Sequence, residues 1–189
     1  MDRAPAPRAA EPLVAFLRGV NVGGKNKLPM RALVALFEEL GCTGVLPYIQ
    51  SGNVVFRLAK GRDAPAVSDA IAKGFEARFG FVAPVITRAK SELRAAVEAN
   101  PFLAEGADPA TLHVGFLAHA PDARAIAALD PRRSPPDRFA VHGREVYLCL
   151  PNGVARSKLT NAYFDAQLAT TTTIRNWRTV LAMLELADR

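Results

Sequence analysis

The pattern of apolar and polar positions becomes regular at Pro12. Leu13–Leu17 is an unbroken apolar run with the look of a buried strand. A Gly-rich polar stretch follows it, and Pro29 fits the first turn of a helix. Leu33, Leu36, Phe37 and Leu40 then recur at helical spacing until Gly41 ends the run. Val45–Gln50 and Asn53–Leu58 alternate as strands about Ser51-Gly52, a hairpin signal. Ala64–Phe79 carries Val67, Ala70, Ile71, Phe75 and Phe79 close to one helical face, and Phe81–Thr87 reads as a strand that Pro84 assigns to an edge or a bulge. The order strand, helix, strand, strand, helix, strand is the split β-α-β unit of the ferredoxin-like fold.

A connecting helix is expected over Lys90–Ala99 with Ser91 as N-cap, then a loop over Asn100–Ala110. After it the order recurs. Thr111–Ala118 alternates as a strand, Pro121–Leu129 forms a short helix, and Arg138–His142 and Glu145–Leu150 form a hairpin about Gly143-Arg144. Ser157–Ala169 reads as a helix, Thr170–Thr173 as a short strand, and Trp177–Ala187 as a terminal helix with Trp177, Val180, Leu181 and Leu184 on one stripe. The predicted fold is therefore α+β: two ferredoxin-like βαββαβ halves with antiparallel sheets, a linking helix and a C-terminal helix. The expected organisation is a disordered Pro- and Ala-rich tail at 1–11, a first half at 12–89, a linker at 90–110 and a second half at 111–189. The pattern repeats without a clear residue-level repeat, so the duplication is an inference from element order.

Composition narrows the class. The 189 residues are 50% hydrophobic, and no apolar run approaches the roughly 20 residues that cross a bilayer. Cys42 and Cys149 supply neither a disulfide framework nor a four-thiolate site, and without a secretory signal a cytoplasmic location is expected. His113, His119 and His142 show no ligand spacing, so no metal is expected and no cofactor is indicated.

The net charge of +6 changes the picture through its placement. Arg18–Lys27, Arg156–Asn161 and Arg175–Thr179 hold seven bases and no acid, and the remainder of the chain is −1. The first segment is a glycine loop between strand and helix. Gly23 and Gly24 permit close approach of an anion to backbone N–H groups, with Arg18, Asn21, Lys25 and Asn26 beside them. It matches neither standard phosphate-loop pattern. In the second, Arg156, Ser157, Lys158 and Asn161 sit at an expected helix start, where bases oppose the helix dipole and an anion would relieve them. In the third, Arg175 flanks Asn176, the expected N-cap of the last helix, and Trp177 belongs to the core stripe. Gln50, Ser51 and Asn53 at the hairpin tip add neutral hydrogen-bonding groups, each also explained by turn chemistry.

Phe16–Lys27 (FLRGVNVGGKNK), Tyr48–Phe56 (YIQSGNVVF), Asn100-Pro-Phe102, Gly153–Asn161 (GVARSKLTN) and Thr173–Thr179 (TIRNWRT) together closely resemble a bacterial family, the domain of unknown function sixteen-ninety-seven. The resemblance runs from about Pro12 to Ala187. It implies two ferredoxin-like halves and no activity, so no site residue is carried over. Ala155 stands where the family often has Gly, and Arg178 where it often has Asn.

Three functions remain. The first is a binding module for an anionic small molecule or nucleotide, on basic segments converging between the halves, with single-stranded nucleic acid as its lesser form and no membrane partner. Phe16 and Phe56 lie on the strands that stack bases in ferredoxin-like RNA binders, yet the aromatic-rich motif is absent. The second is an enzyme acting on a phosphorylated small molecule, for which a proton-transfer group is lacking. In the third, Arg18, Arg156 and Arg175 pair with carboxylates such as Glu38, Glu145 or Asp165 and fasten the halves together.

Overall fold

Successive side chains of a strand turn to opposite faces, and in the central strands both faces are covered. In the computed structural model, which describes residues 11–21, 28–59 and 64–189, β1 (Leu13–Leu17) is buried on both faces. Leu13, Ala15 and Leu17 face a core shared with α1 (Met30–Glu39) and α2 (Ala64–Phe79), whereas Val14 and Phe16 face the opposite way. With β2 (Cys42–Tyr48), β3 (Asn53–Leu58) and β4 (Val85–Ala89), β1 builds an antiparallel sheet of order β2-β3-β1-β4.

The second sheet repeats this plan. β5 (Leu112–Leu117), β6 (Arg138–His142), β7 (Glu145–Cys149) and β8 (Thr172–Asn176) take the order β6-β7-β5-β8. Its outer face packs on α5 (Ala123–Ala127) and α6 (Asn161–Leu168) through Leu117, Val146, Leu148 and Phe164. The two α+β halves are ferredoxin-like in strand order, as the sequence predicts.

The inner faces meet in one core. Val14, Phe16 and Val55 pack with Val114, Phe116 and Tyr147. Phe16 and Phe116 stack with ring centroids 4.3 Å apart and planes 9° from parallel. Such a pair adds about 0.5–1.5 kcal/mol beyond its burial. This contact removes Phe16 from any base-stacking surface, and Phe56 is likewise buried, edge-on to Phe37. A nucleic acid cannot lie on either ring as it would on an open sheet. α3 (Lys90–Glu98) follows β4 and α7 (Trp177–Asp188) follows β8, and both border the shared core through Leu93, Ala96, Trp177 and Val180. The Tyr147 hydroxyl donates to the Ala96 carbonyl at 2.9 Å and ties α3 to the second sheet.

Several boundaries differ from the sequence reading. β4 and β8 both run farther toward the C-terminus, to Ala89 and Asn176. The N-cap position of α3 is Ala89, whose N–H is met by Glu92, while the Ser91 N–H goes to Glu11. Residues 100–110 are not a plain loop: they include a one-turn helix, α4 (Pro101–Ala104), capped by Asn100. Largest in consequence, α6 begins at Asn161 with Thr160 as N-cap. Ser157 instead closes a turn in which its Oγ accepts from the Leu159 N–H at 3.0 Å. Of the expected 1–11 tail, residues 1–10 lie outside the described residues.

Candidate functional site

Pairing register sets up two matching junctions between the sheets. Phe16 lies opposite Asn53 and Ile86, and Phe116 lies opposite Glu145 and Thr173. Arg88 in β4 lies opposite Val14, and Arg175 in β8 lies opposite Val114. Arg88 is therefore the counterpart of Arg175, and Glu145 the counterpart of Asn53.

Each arginine crosses to the other half and makes the same contacts there. Arg88 Nε donates to Glu145 Oε1 at 2.9 Å, and its Nη2 donates to the carbonyls of Leu117 and Arg144 at 2.8 and 2.9 Å. Arg175 Nε donates to Asn53 Oδ1 at 2.6 Å, and its Nη2 to the carbonyls of Leu17 and Ser51 at 2.7 and 3.4 Å. In both, Nη1 returns to the preceding carbonyl of its own strand, Thr87 or Ile174. Arg88 lies over the ring of Phe116 at 5.5 Å and Arg175 over that of Phe16 at 5.7 Å, within cation–π range.

The junctions differ in charge. Arg88 is 1% exposed; burial lowers its pKa, and the Glu145 carboxylate opposes that shift. Arg175 is bonded only to neutral acceptors. Burial of its guanidinium alone lowers its pKa to about 10, although the side chain retains some accessible surface. One cation is thus neutralised by a carboxylate, and its counterpart is not.

The uncompensated junction gathers much of the predicted site. Arg18 Nη1 donates to Asp165 Oδ2 at 2.6 Å and to the Thr172 carbonyl at 2.9 Å. Asp165 Oδ1 accepts from the Thr172 N–H, and Asn161 Oδ1 from the Ile174 N–H. Asn53 Nδ2 donates to Ser51 Oγ at 2.7 Å. Gly52 is required at the turn: its φ is +70°, and a Cβ there would meet Leu17 Cβ and O at 2.9 Å. The Thr172 and Thr173 hydroxyls are buried with no hydrogen-bond partner among the described residues.

Other predicted residues go elsewhere. Asn21 closes its own loop by a pair of bonds with the Leu28 backbone. Gln50 is exposed at the hairpin tip. Asn176 accepts from the Thr179 N–H, which makes it the N-cap of α7, and Trp177 is in the core. Arg156 and Lys158 are exposed and precede the α6 N-cap, so they do not oppose its dipole as predicted. The Lys158 N–H bonds Ser134 Oγ within the second half. Gly23, Gly24, Lys25 and Asn26 lie outside the described residues.

Sequence reasoning missed Arg88. Its signal was a charged residue at an apolar-phase position, two after Ile86, in a strand that leads straight into a helix. Asp165 and Glu145 were named only as potential partners, and each meets an arginine from the other half. The Arg175 junction brings guanidinium groups, amides and hydroxyls together. Among the described residues no three His, Cys, Asp or Glu side chains are grouped to hold a metal, and no helix is long and apolar enough to cross a membrane.

A profile of a family described as a protein of unknown function (DUF1697) matches residues 11–147. A conserved bacterial protein from Streptococcus pneumoniae, SP0830, has a similar solved structure, with a TM-score of 0.72 over 94% of this chain and 98% of that one. At 19% identity that likeness speaks for the fold. No curated protein matches the chain.

Proposed function

The chain belongs to a family of proteins of unknown function, DUF1697; with no activity to inherit, its own chemistry decides, and we propose that it is a binding module for an anionic ligand held at the Arg175 junction. One observation carries the reading: Arg175 has only neutral partners where its counterpart Arg88 has Glu145. A half-buried cation without a counter-ion gains more from an arriving anion than a solvated one, because the surrounding dielectric is low. Four of its five N–H groups are committed to the bonds described above, which leaves one on Nη1. The unpartnered Thr173 hydroxyl lies on the same face of β8 as Arg175. The ligand class is a phosphate- or carboxylate-bearing small molecule; the burial of Phe16 and Phe56 weighs against single-stranded nucleic acid.

The test transplants one junction onto the other. Pyrophosphate and a single-stranded oligonucleotide are titrated calorimetrically, at low and moderate salt, into wild type, Asn53→Glu and Arg175→Lys. Wild type is expected to bind pyrophosphate, and Asn53→Glu, which supplies the missing carboxylate, to weaken it about tenfold or more. Arg175→Lys, a smaller change to the core, loses the planar fork and weakens it as well. Steeply salt-dependent binding of the oligonucleotide alone would identify backbone contacts instead. Equal affinity in all three proteins, or none in wild type, refutes the assignment. Lys25→Ala tests the contribution of the glycine loop.

A further inference from the structure

The Arg88 junction contains a space that the Arg175 junction fills. Arg18 and Ala118 hold equivalent places: the Arg18 N–H donates to the Pro84 carbonyl at 3.0 Å, and the Ala118 N–H to the Thr171 carbonyl at 2.9 Å. One step earlier, Leu17 lies opposite Val85 and Leu117 opposite Thr172. Antiparallel alternation then turns the N–H and C=O of Val85 and Thr172 away from their partner strands. At the Arg175 junction the outward groups of Thr172 are occupied, with Asp165 on its N–H and Arg18 on its C=O. At the Arg88 junction, alanine replaces the arginine, and a cavity of about 340 Å³ opens between the halves. Val85 and Ala118 line it, together with Asp69 of α2, which packs on β4 as α6 packs on β8.

The charges around the cavity select its guest. Arg88 and Arg144 also line it, but each is already paired, with Glu145 and with Glu92. Asp69 makes no ion pair among the described residues, so the cluster carries one unmatched negative charge. We propose that this cavity is a receptor for an alkylguanidinium group, held between the Asp69 carboxylate and the Val85 carbonyl as Arg18 is held between Asp165 and Thr172. The guest is a small guanidino compound or the arginine side chain of a peptide. Ser68 and Thr87, whose hydroxyls lie 2.8 Å apart on the wall, add polar contacts, and His119 lies at the exposed end. This site is separate from the Arg175 junction and opposite in charge preference, so either can fail without the other.

The experiment follows backbone amide resonances of the intact chain during titration with agmatine, with the blocked peptide acetyl-Gly-Arg-Gly-amide, and with sulfate. Agmatine or the peptide is expected to shift the amides of Asp69, Thr87 and His119 saturably, and which of the two does so identifies the source of the group. Asp69→Asn, at an exposed position, should weaken binding about tenfold. Ala118→Arg should supply the guanidinium from the chain itself and abolish the response, and Ala118→Met fills the same space if the arginine variant does not fold. Response to sulfate in place of the cations, equal binding by Asp69→Asn, or no saturable shift in wild type overturns the proposal.

Discussion

Exchanging the partners of the two crossing arginines gives a graded stability prediction. Arg88 is 1% exposed and supplies donors to Glu145 and to the carbonyls of Thr87, Leu117 and Arg144. Arg88→Ala strands a carboxylate and three carbonyls at once. Breaking a buried pair from one side costs about 3–5 kcal/mol, and each carbonyl left dry adds about 1–3 kcal/mol, offset where water enters the vacated space. The expected loss is about 4 kcal/mol, a large part of the roughly 5–15 kcal/mol that holds a domain together. Glu145→Asn should be milder, because Asn53 shows that an amide at the equivalent register reaches the arginine Nε, at 2.6 Å. It exchanges a charge-assisted bond for a neutral one, about 1 kcal/mol, and leaves Arg88 without a counter-ion, for a total of about 2 kcal/mol. Urea unfolding followed by circular dichroism, with the denaturant slope unchanged, measures both. A Glu145→Asn loss equal to that of Arg88→Ala would show that charge neutralisation, not acceptor geometry, secures the junction. A loss below about 0.5 kcal/mol for Arg88→Ala would refute the crossing-arginine account altogether.

Two further outcomes follow from single groups. Burial raises the Tyr147 pKa to about 12, so above pH 10 the unfolded chain releases a proton that the folded chain keeps. Stability should therefore fall between about pH 10 and 12, by up to roughly 3 kcal/mol; urea titrations on Tyr147→Phe should lack that component, at a cost of about 1 kcal/mol at neutral pH for the lost bond to Ala96. Gly52→Ala combines a φ of +70° with a Cβ 2.9 Å from Leu17, so a destabilisation of about 2 kcal/mol is expected; unchanged thermal unfolding would contradict the close approach.

Element order was legible because strands buried on one or both faces and helices with a single apolar stripe leave distinct periods. Leu13–Leu17 and the stripe from Trp177 to Leu184 are plain in those terms. The ends of β4 and β8 were not, and for one shared reason: the predicted strands stop at Thr87 and Thr173, short of Arg88 and Arg175, yet those guanidinium groups point inward because carbonyls of the other half receive them. No local pattern reports an acceptor 29 or 158 residues away in the chain. The start of α6 was misplaced by a different mechanism. Ser157 and Thr160 are both cap-forming residues, and local preference does not separate a serine that closes a turn from a threonine that caps a helix three residues later.

The charge count illustrates what composition can and cannot predict. Seven bases in acid-free segments suggested one electropositive site, but freedom from acid along the chain is not freedom from acid in space. Arg18 finds Asp165 across 147 residues of sequence and is neutralised. Arg156, Lys158 and Arg178 are exposed, where water already solvates them. Arg175 is different because it is bonded only to neutral acceptors, where its counterpart Arg88 has Glu145. A cation's use as a binding group depends on the difference between the desolvation it has suffered and the compensation it has received, and that difference is largest where register symmetry puts Asn53 in the place of Glu145. The same comparison, applied to Ala118 in the place of Arg18, turns an ordinary cavity into a predicted cation receptor.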